Sequence, residues 1–217
     1  MKWPMNRKSI IVPEGLPFIT AVGILTLLLF GFGFFKAAAL ALGATFFIAW
    51  FFRNPERKIP EDEDAVVSPA DGKVIIIEEA PGSDLASGKF IKISIFMNVF
   101  NVHVNRIPYT GTVKLIRYKK GKFISANFDK ASALNEQNAV VIKTPKGHEI
   151  ITVQIAGLIA RRIVCWLKEG MAVEKGERFG LIRFGSRLDV YLPPGTIIRV
   201  KLGDKVQSGQ TILGELP

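Results

Sequence analysis

Hydrophobic and polar positions divide this chain into two parts of opposite character. Leu16 to Phe52 is an apolar run of 37 residues that carries one charge, Lys36, and nine of the sixteen Phe. As one straight helix it would extend about 55 Å, against a hydrocarbon core of roughly 30 Å. The run therefore predicts a short helical hairpin, Phe18–Phe35 and Ala37–Phe52, turning near Gly31, Gly33 and Lys36. Each arm is short for a span, so a re-entrant or interfacial hairpin fits as well as a crossing one. Lys2, Arg7 and Lys8 precede the run, and Arg53, Arg57 and Lys58 follow it. The positive-inside rule then places both ends in the cytoplasm. A signal peptide has an apolar region less than half this long, and no small-residue cleavage site precedes Arg53.

From Asn54 the pattern changes. A polar linker with Pro55 and Pro60 leads into short Val- and Ile-rich runs punctuated by Gly, Pro and Asp. The runs are Val74–Ile77, Phe90–Ile95, Gly111–Arg117, Ala139–Lys143, Glu149–Ile155, Ile163–Leu167, Leu188–Leu192 and Ile197–Lys201. They predict many short strands in a compact barrel or sandwich, with brief helices only at Val99–Val102 and Ala131–Gln137. The expected domains are 1–53, membrane-associated, and 54–217, β-rich. One segment recurs. Leu167 to Gly176 returns, offset by 33 residues, as Val200 to Gly209, sharing G-x-x-V-x-x-G. The pattern resembles the strand–turn units of lipoyl- and biotinyl-type barrel-sandwich domains and predicts a quasi-duplicated core.

Composition narrows the chemistry. Lys and Arg number 29 and Asp and Glu 19, a net charge of +10, which points to an anionic partner. Basic residues cluster at Lys114, Arg117, Lys119, Lys120 and Lys122 beside Tyr118 and Phe123. On a chain with an apolar anchor, an anionic bilayer suits that cluster better than nucleic acid. One cysteine, Cys165, allows no internal disulfide, and with two histidines it excludes a Cys/His zinc site. Gly31-Phe-Gly33 lacks the third glycine of a dinucleotide loop, Gly82 to Lys89 lacks P-loop spacing, and Arg183 to Leu188 is not G-x-S-x-G.

Three places remain: an acid in a tight turn before a strand, Ser68-Pro-Ala-Asp71-Gly72; one histidine among apolar residues, Asn101-Val-His103-Val-Asn-Arg106-Ile-Pro108; and a Gly185-Ser186 pair inside Arg183–Pro193. Glycine lacks a Cβ, so a hydroxyl can approach its carbonyl closely. Each is weak alone. In order, together with Phe52-Arg-Asn-Pro55 and Ile155-Ala-Gly-x-x-Ala-Arg161-Arg162-Ile163, they resemble the short membrane-associated branch of the phosphatidylserine decarboxylase family along the whole chain.

The resemblance implies a pyruvoyl enzyme that makes its own cofactor. Ser186 would attack the Gly185 carbonyl, and the resulting ester would eliminate to dehydroalanine, which hydrolyses to a pyruvoyl group and ammonia. The products would be a β chain, 1–185, and an α chain, 186–217, held together as a heterodimer. Asp71 matches the family's acid for this step. The pyruvoyl group would form a Schiff base with the serine amine of phosphatidylserine, accept electrons as CO₂ leaves, and yield phosphatidylethanolamine. His103 is the expected proton donor, and Arg161 and Arg162 are candidates for the lipid phosphate. Longer relatives carry H-x-x-H-x-P; here Arg106 stands at the second histidine, which leaves the helper of self-cleavage open. The competing readings are a membrane-anchored barrel-sandwich adaptor of a transport complex, a lipoyl- or biotinyl-type carrier using Lys175 or Lys205, and a pyruvoyl decarboxylase of a soluble amino acid. Only the last shares self-cleavage.

Overall fold

The computed structural model describes residues 9–83, 86–122, 134–157, 162–183 and 186–217. Residues 7–56 and 57–217 form two compact units.

The first unit is a helical hairpin. A short 3-10 turn, Pro13–Gly15, leads into α1 (Leu16–Gly31), and α2 (Phe35–Phe51) returns. Both helices are apolar on all sides, and their Leu and Phe side chains are largely exposed, including Leu27, Phe30, Leu40 and Phe46. A water-soluble helix keeps one polar face; these have none. Pro13–Gly31 is long and apolar enough to cross a membrane, whereas Phe35–Phe51 is shorter. The reversal is tighter than the sequence suggests. Gly33, at φ +78°, turns the chain, so Lys36 lies in the first turn of α2 rather than in the loop. At the base, Val12 N donates to the Phe52 carbonyl and Asn54 N to that of Ile10.

The second unit is β-rich. Its strands are β1 (Ala65–Val67), β2 (Gly72–Ser83), β3 (Ala86–Met97), β4 (Val104–Arg106), β5 (Gly111–Lys119), β6 (Gln137–Lys143) and β7 (Glu149–Ala156). They continue as β8 (Ile163–Cys165), β9 (Ala172–Val173), β10 (Arg178–Ile182), β11 (Ser186–Leu192), β12 (Ile197–Ile198), β13 (Lys205–Val206) and β14 (Ile212–Glu215). Eight form one sheet in the order β13-β2-β3-β11-β7-β6-β5-β9, curled into a half-barrel. Two three-stranded sheets, β1-β14-β12 and β4-β10-β8, complete the unit. Alternation sorts the side chains. Ile93, Ile95, Leu188, Val190 and Leu192 face the main core, while Phe90, Val141, Ile151, Val153 and Ile155 form a second cluster. Complete burial of each such side chain contributes about 1.5–3 kcal/mol.

Every predicted strand coincides with an observed one in whole or in part. The helix expected at Val99–Val102 is instead a turn. Asn98 Oδ1 accepts the Phe100 amide and Asn101 Oδ1 the Asn98 amide, both at 2.9 Å, so Asn side chains take the backbone donors a helix would need. Of the helix expected at Ala131–Gln137, residues 131–133 lie outside the described residues and Gln137 already belongs to β6.

The duplication extends well beyond the 33-residue repeat. Val206 pairs with Gly72 and Val173 with Gly111. Val74 N donates to Asp204 O and Gly203 N to Val74 O; Val113 N donates to Met171 O and Gly170 N to Val113 O. The register shifts after Val74 in one half and after Val113 in the other. Ser68-Pro-Ala-Asp71-Gly72-Lys-Val74 is thus the counterpart of Ile107-Pro-Tyr-Thr110-Gly111-Thr-Val113, a likeness too short to stand out in sequence alone. Both glycines are sterically required: a Cβ would lie 2.2 Å from Phe96 O at Gly72 and 2.4 Å from Lys143 O at Gly111. Gly111→Ala is expected to lower stability by about 1–3 kcal/mol through overpacking. A urea midpoint equal to wild type would contradict this.

Candidate active site

Ser186 opens β11, the strand held between β3 and β7, where it faces Met97 on one side and Ala156 on the other. It shares the core face with Leu188 and is fully buried. Its Oγ makes no hydrogen bond among the described residues. A buried hydroxyl left so costs about 1–3 kcal/mol, and such groups call for an explanation in function. Gly185 and Arg161 lie outside the described residues.

His103 precedes β4 and is buried. Its Nδ1 lies 3.0 Å from the Asn101 carbonyl. A carbonyl only accepts, so Nδ1 carries the proton and Nε2 is the ring atom that exchanges one in chemistry. Val104 pairs with Leu181 of β10, the strand whose last residue, Ile182, lies four positions before Ser186. The same β4 contacts the acid turn, because Arg106 N donates to Pro69 O at 2.9 Å. Three motifs distant in sequence are thereby tied to adjoining backbone.

Asp71 is buried at the end of that turn. Oδ2 forms a 2.9 Å ion pair with Arg57, and Oδ1 accepts the Ser208 amide at 2.8 Å. β3 lies between it and β11: Lys73 pairs with Phe96 while Ser186 pairs with Met97. At about 4.8 Å per strand spacing, the backbones of Gly72 and Ser186 are about 10 Å apart. Arg106 takes no histidine-like role: its guanidinium donates to the Gly176 carbonyl at 2.8 Å and is buried. Arg162 is exposed, and its carbonyl accepts the Arg183 amide at 3.3 Å, on the path into the 184–186 segment.

Sequence reasoning missed a buried amide chain. Asn138 Nδ2 donates to Gln154 Oε1 at 3.1 Å, Gln154 Nε2 donates to Asn105 Oδ1 at 2.8 Å, and Asn105 Nδ2 reaches Met97 Sδ, opposite Ser186. Asn105 lies inside the Asn101–Pro108 motif, but nothing local links it to Gln154, 49 residues away. Arg187 and Asp189, on the other face, form a two-pronged buried ion pair at 2.6 and 2.9 Å. Burial, then Asp189, pushes the Tyr191 hydroxyl up to about 12. Burial also raises the Cys165 thiol, so it stays protonated and is a poor rival nucleophile.

A family model described as phosphatidylserine decarboxylase matches residues 44–214. The chain is 56% identical over 211 residues to a phosphatidylserine decarboxylase proenzyme of Syntrophus aciditrophicus, covering 97% of this chain and 99% of that one. A protein of the same name from Geotalea uraniireducens is 50% identical over 212 residues, 98% and 99% of the two chains. Another, from Burkholderia pseudomallei, is 49% identical over 208 residues, 96% of each.

Proposed function

The chain belongs to the phosphatidylserine decarboxylase family, enzymes of phospholipid synthesis, and from that premise we propose that it matures by cutting itself between Gly185 and Ser186 and then works through a pyruvoyl group at position 186. The buried Ser186 Oγ, with no hydrogen-bond partner among the described residues, carries this reading. A structural serine at that depth would be hydrogen-bonded or replaced by alanine.

In maturation the Ser186 Oγ–C bond to Gly185 forms as the Gly185–Ser186 amide C–N bond breaks, giving an ester. Elimination of the Gly185 carboxylate leaves dehydroalanine, and water then exchanges for ammonia. Asp71 is the acid assigned to this step. Its turn leads into β2, with β3 between that strand and β11. The strand geometry then retains the product, because β11 beyond residue 186 pairs with both β3 and β7.

A pyruvoyl carbonyl supplies the electron sink that decarboxylation of an amino acid requires. The chain's own groups do the rest. His103, oriented by Asn101, returns a proton through Nε2 to the carbon that loses CO₂. Arg162, with Arg161 before it, offers guanidinium donors to the lipid phosphate. The apolar hairpin keeps the domain at the cytoplasmic face of the bilayer in which a diacyl substrate resides.

Intact mass of the purified protein tests the maturation. Two chains are expected, 1–185 and 186–217, the smaller lighter than its simple hydrolysis product by one ammonia. A folded chain that stays whole would overturn the reading and favour a non-enzymatic adaptor.

A further inference from the structure

The two halves of the β-rich unit allow Asp71 to be compared with its own counterpart. Ser208 N donates to Asp71 Oδ1 at 2.8 Å, and in the other half Lys175 N donates to Thr110 Oγ1 at 3.1 Å. Ser208 and Lys175 are themselves 33 residues apart, in the repeated G-x-x-V-x-x-G turns. What the fold needs at this position is therefore one side-chain acceptor for one turn amide, and a threonine hydroxyl is enough. At Thr110 the turn borders a cavity of about 580 Å³ lined also by Met171, Val173 and Glu174.

Asp71 brings a second oxygen that the turn does not use, and Arg57 engages it. The guanidinium places one nitrogen 2.9 Å from Asp71 Oδ2 and another 2.9 Å from Gln210 Oε1. Gln210 belongs to the same turn as Ser208, whose residues are closed by Gln210 N donating to Gln207 O. The Arg57 and Asp71 side chains are 12% and 11% exposed, so a long side chain with about 2 kcal/mol of rotamer entropy has been immobilised. Fixing both oxygens fixes the carboxylate plane, and each oxygen still has one lone-pair direction to offer.

We propose that Arg57 is a positioning residue that holds the Asp71 carboxylate in the orientation self-cleavage at Ser186 requires. This rests on the reading of Gly185–Ser186 as the cleavage site. The guanidinium fork suits the task because it grips carboxylate and amide oxygen in one plane, which a lysine ammonium does only as a point charge.

The experiment follows self-cleavage of freshly synthesised full-length precursor by mass, for wild type, Arg57→Ala and Arg57→Lys, with thermal melting of each. Arg57→Ala is expected to be cut about 10- to 100-fold more slowly, the scale of a misplaced catalytic group, while melting close to wild type. Arg57→Lys should recover part of the rate, and methylguanidinium below denaturing concentration should accelerate the alanine variant. A folded Arg57→Ala chain cut at the wild-type rate would overturn the proposal. So would a slow variant that neither lysine nor methylguanidinium improves, since that pattern marks a packing role. If the alanine variant does not fold, Arg57→Met, which keeps the apolar stem, is judged by the same outcomes. A wild-type precursor that remains whole overturns the cleavage reading and this proposal together; a cut wild type with an equally fast Arg57→Ala overturns this proposal alone.

Discussion

Ser186→Ala is expected to leave a single uncut chain of 217 residues with no decarboxylase activity above background, folded and at least as stable as wild type. The stability half of this expectation is unusual for a core position and follows from the surroundings of Oγ. Ser186 is wholly buried between Met97 and Ala156, and its hydroxyl has no hydrogen-bond partner among the described residues. Removing it relieves a desolvated polar group and leaves almost no cavity, so a gain of up to about 1 kcal/mol is expected. Activity is lost because no other atom at that position can attack the Gly185 carbonyl. Mass spectrometry and a urea melt on one preparation check both halves. A cut or active alanine variant would remove Ser186 from the mechanism; an uncut but strongly destabilised one would mean the hydroxyl holds the fold.

His103→Ala carries the second large effect, and it separates the two reactions. We expect the variant to be cut but to decarboxylate phosphatidylserine about 10²- to 10⁴-fold more slowly, the range that one positioned proton donor supplies. The Nδ1 contact with Asn101 orients the ring without consuming Nε2 as a donor to the backbone, which is the arrangement a proton-returning histidine needs. The measurement is CO₂ release per cut chain. Wild-type turnover in cut His103→Ala would exclude the assignment. An uncut His103→Ala chain would instead show that this histidine also serves self-cleavage, the step for which Arg106, tied to the Gly176 carbonyl, offers no proton acceptor.

Much of this was legible along the chain because the signals are local. An apolar run of 37 residues announces the hairpin. Alternating Val and Ile between Gly and Pro announces strands, since strand periodicity and turn chemistry are properties of neighbours. The Asn98–Asn101 turn reads as helix in sequence for the same reason in reverse: side-chain acceptors compete with the helix ladder only when the loop geometry brings them to the amides. The short strands β1, β4 and β14 left no pattern, as three or four residues carry too few positions for a period.

By itself the sequence determined the family, the β-rich class and the apolar helical segment, and it singled out a serine, a histidine and an acid as candidates, because each is encoded in residues close to one another. Only the tertiary structure decided which of them adjoin. It placed the Asp71 turn two strands from Ser186, with β3 between them, paired Asp71 with Arg57 rather than with a histidine, linked Asn105 to Gln154 across the sheet, and put Asp71 and Thr110 in equivalent turns. These relations depend on strand order and register. Pairing between distant segments is set by how the whole sheet buries its core, and no local pattern records it.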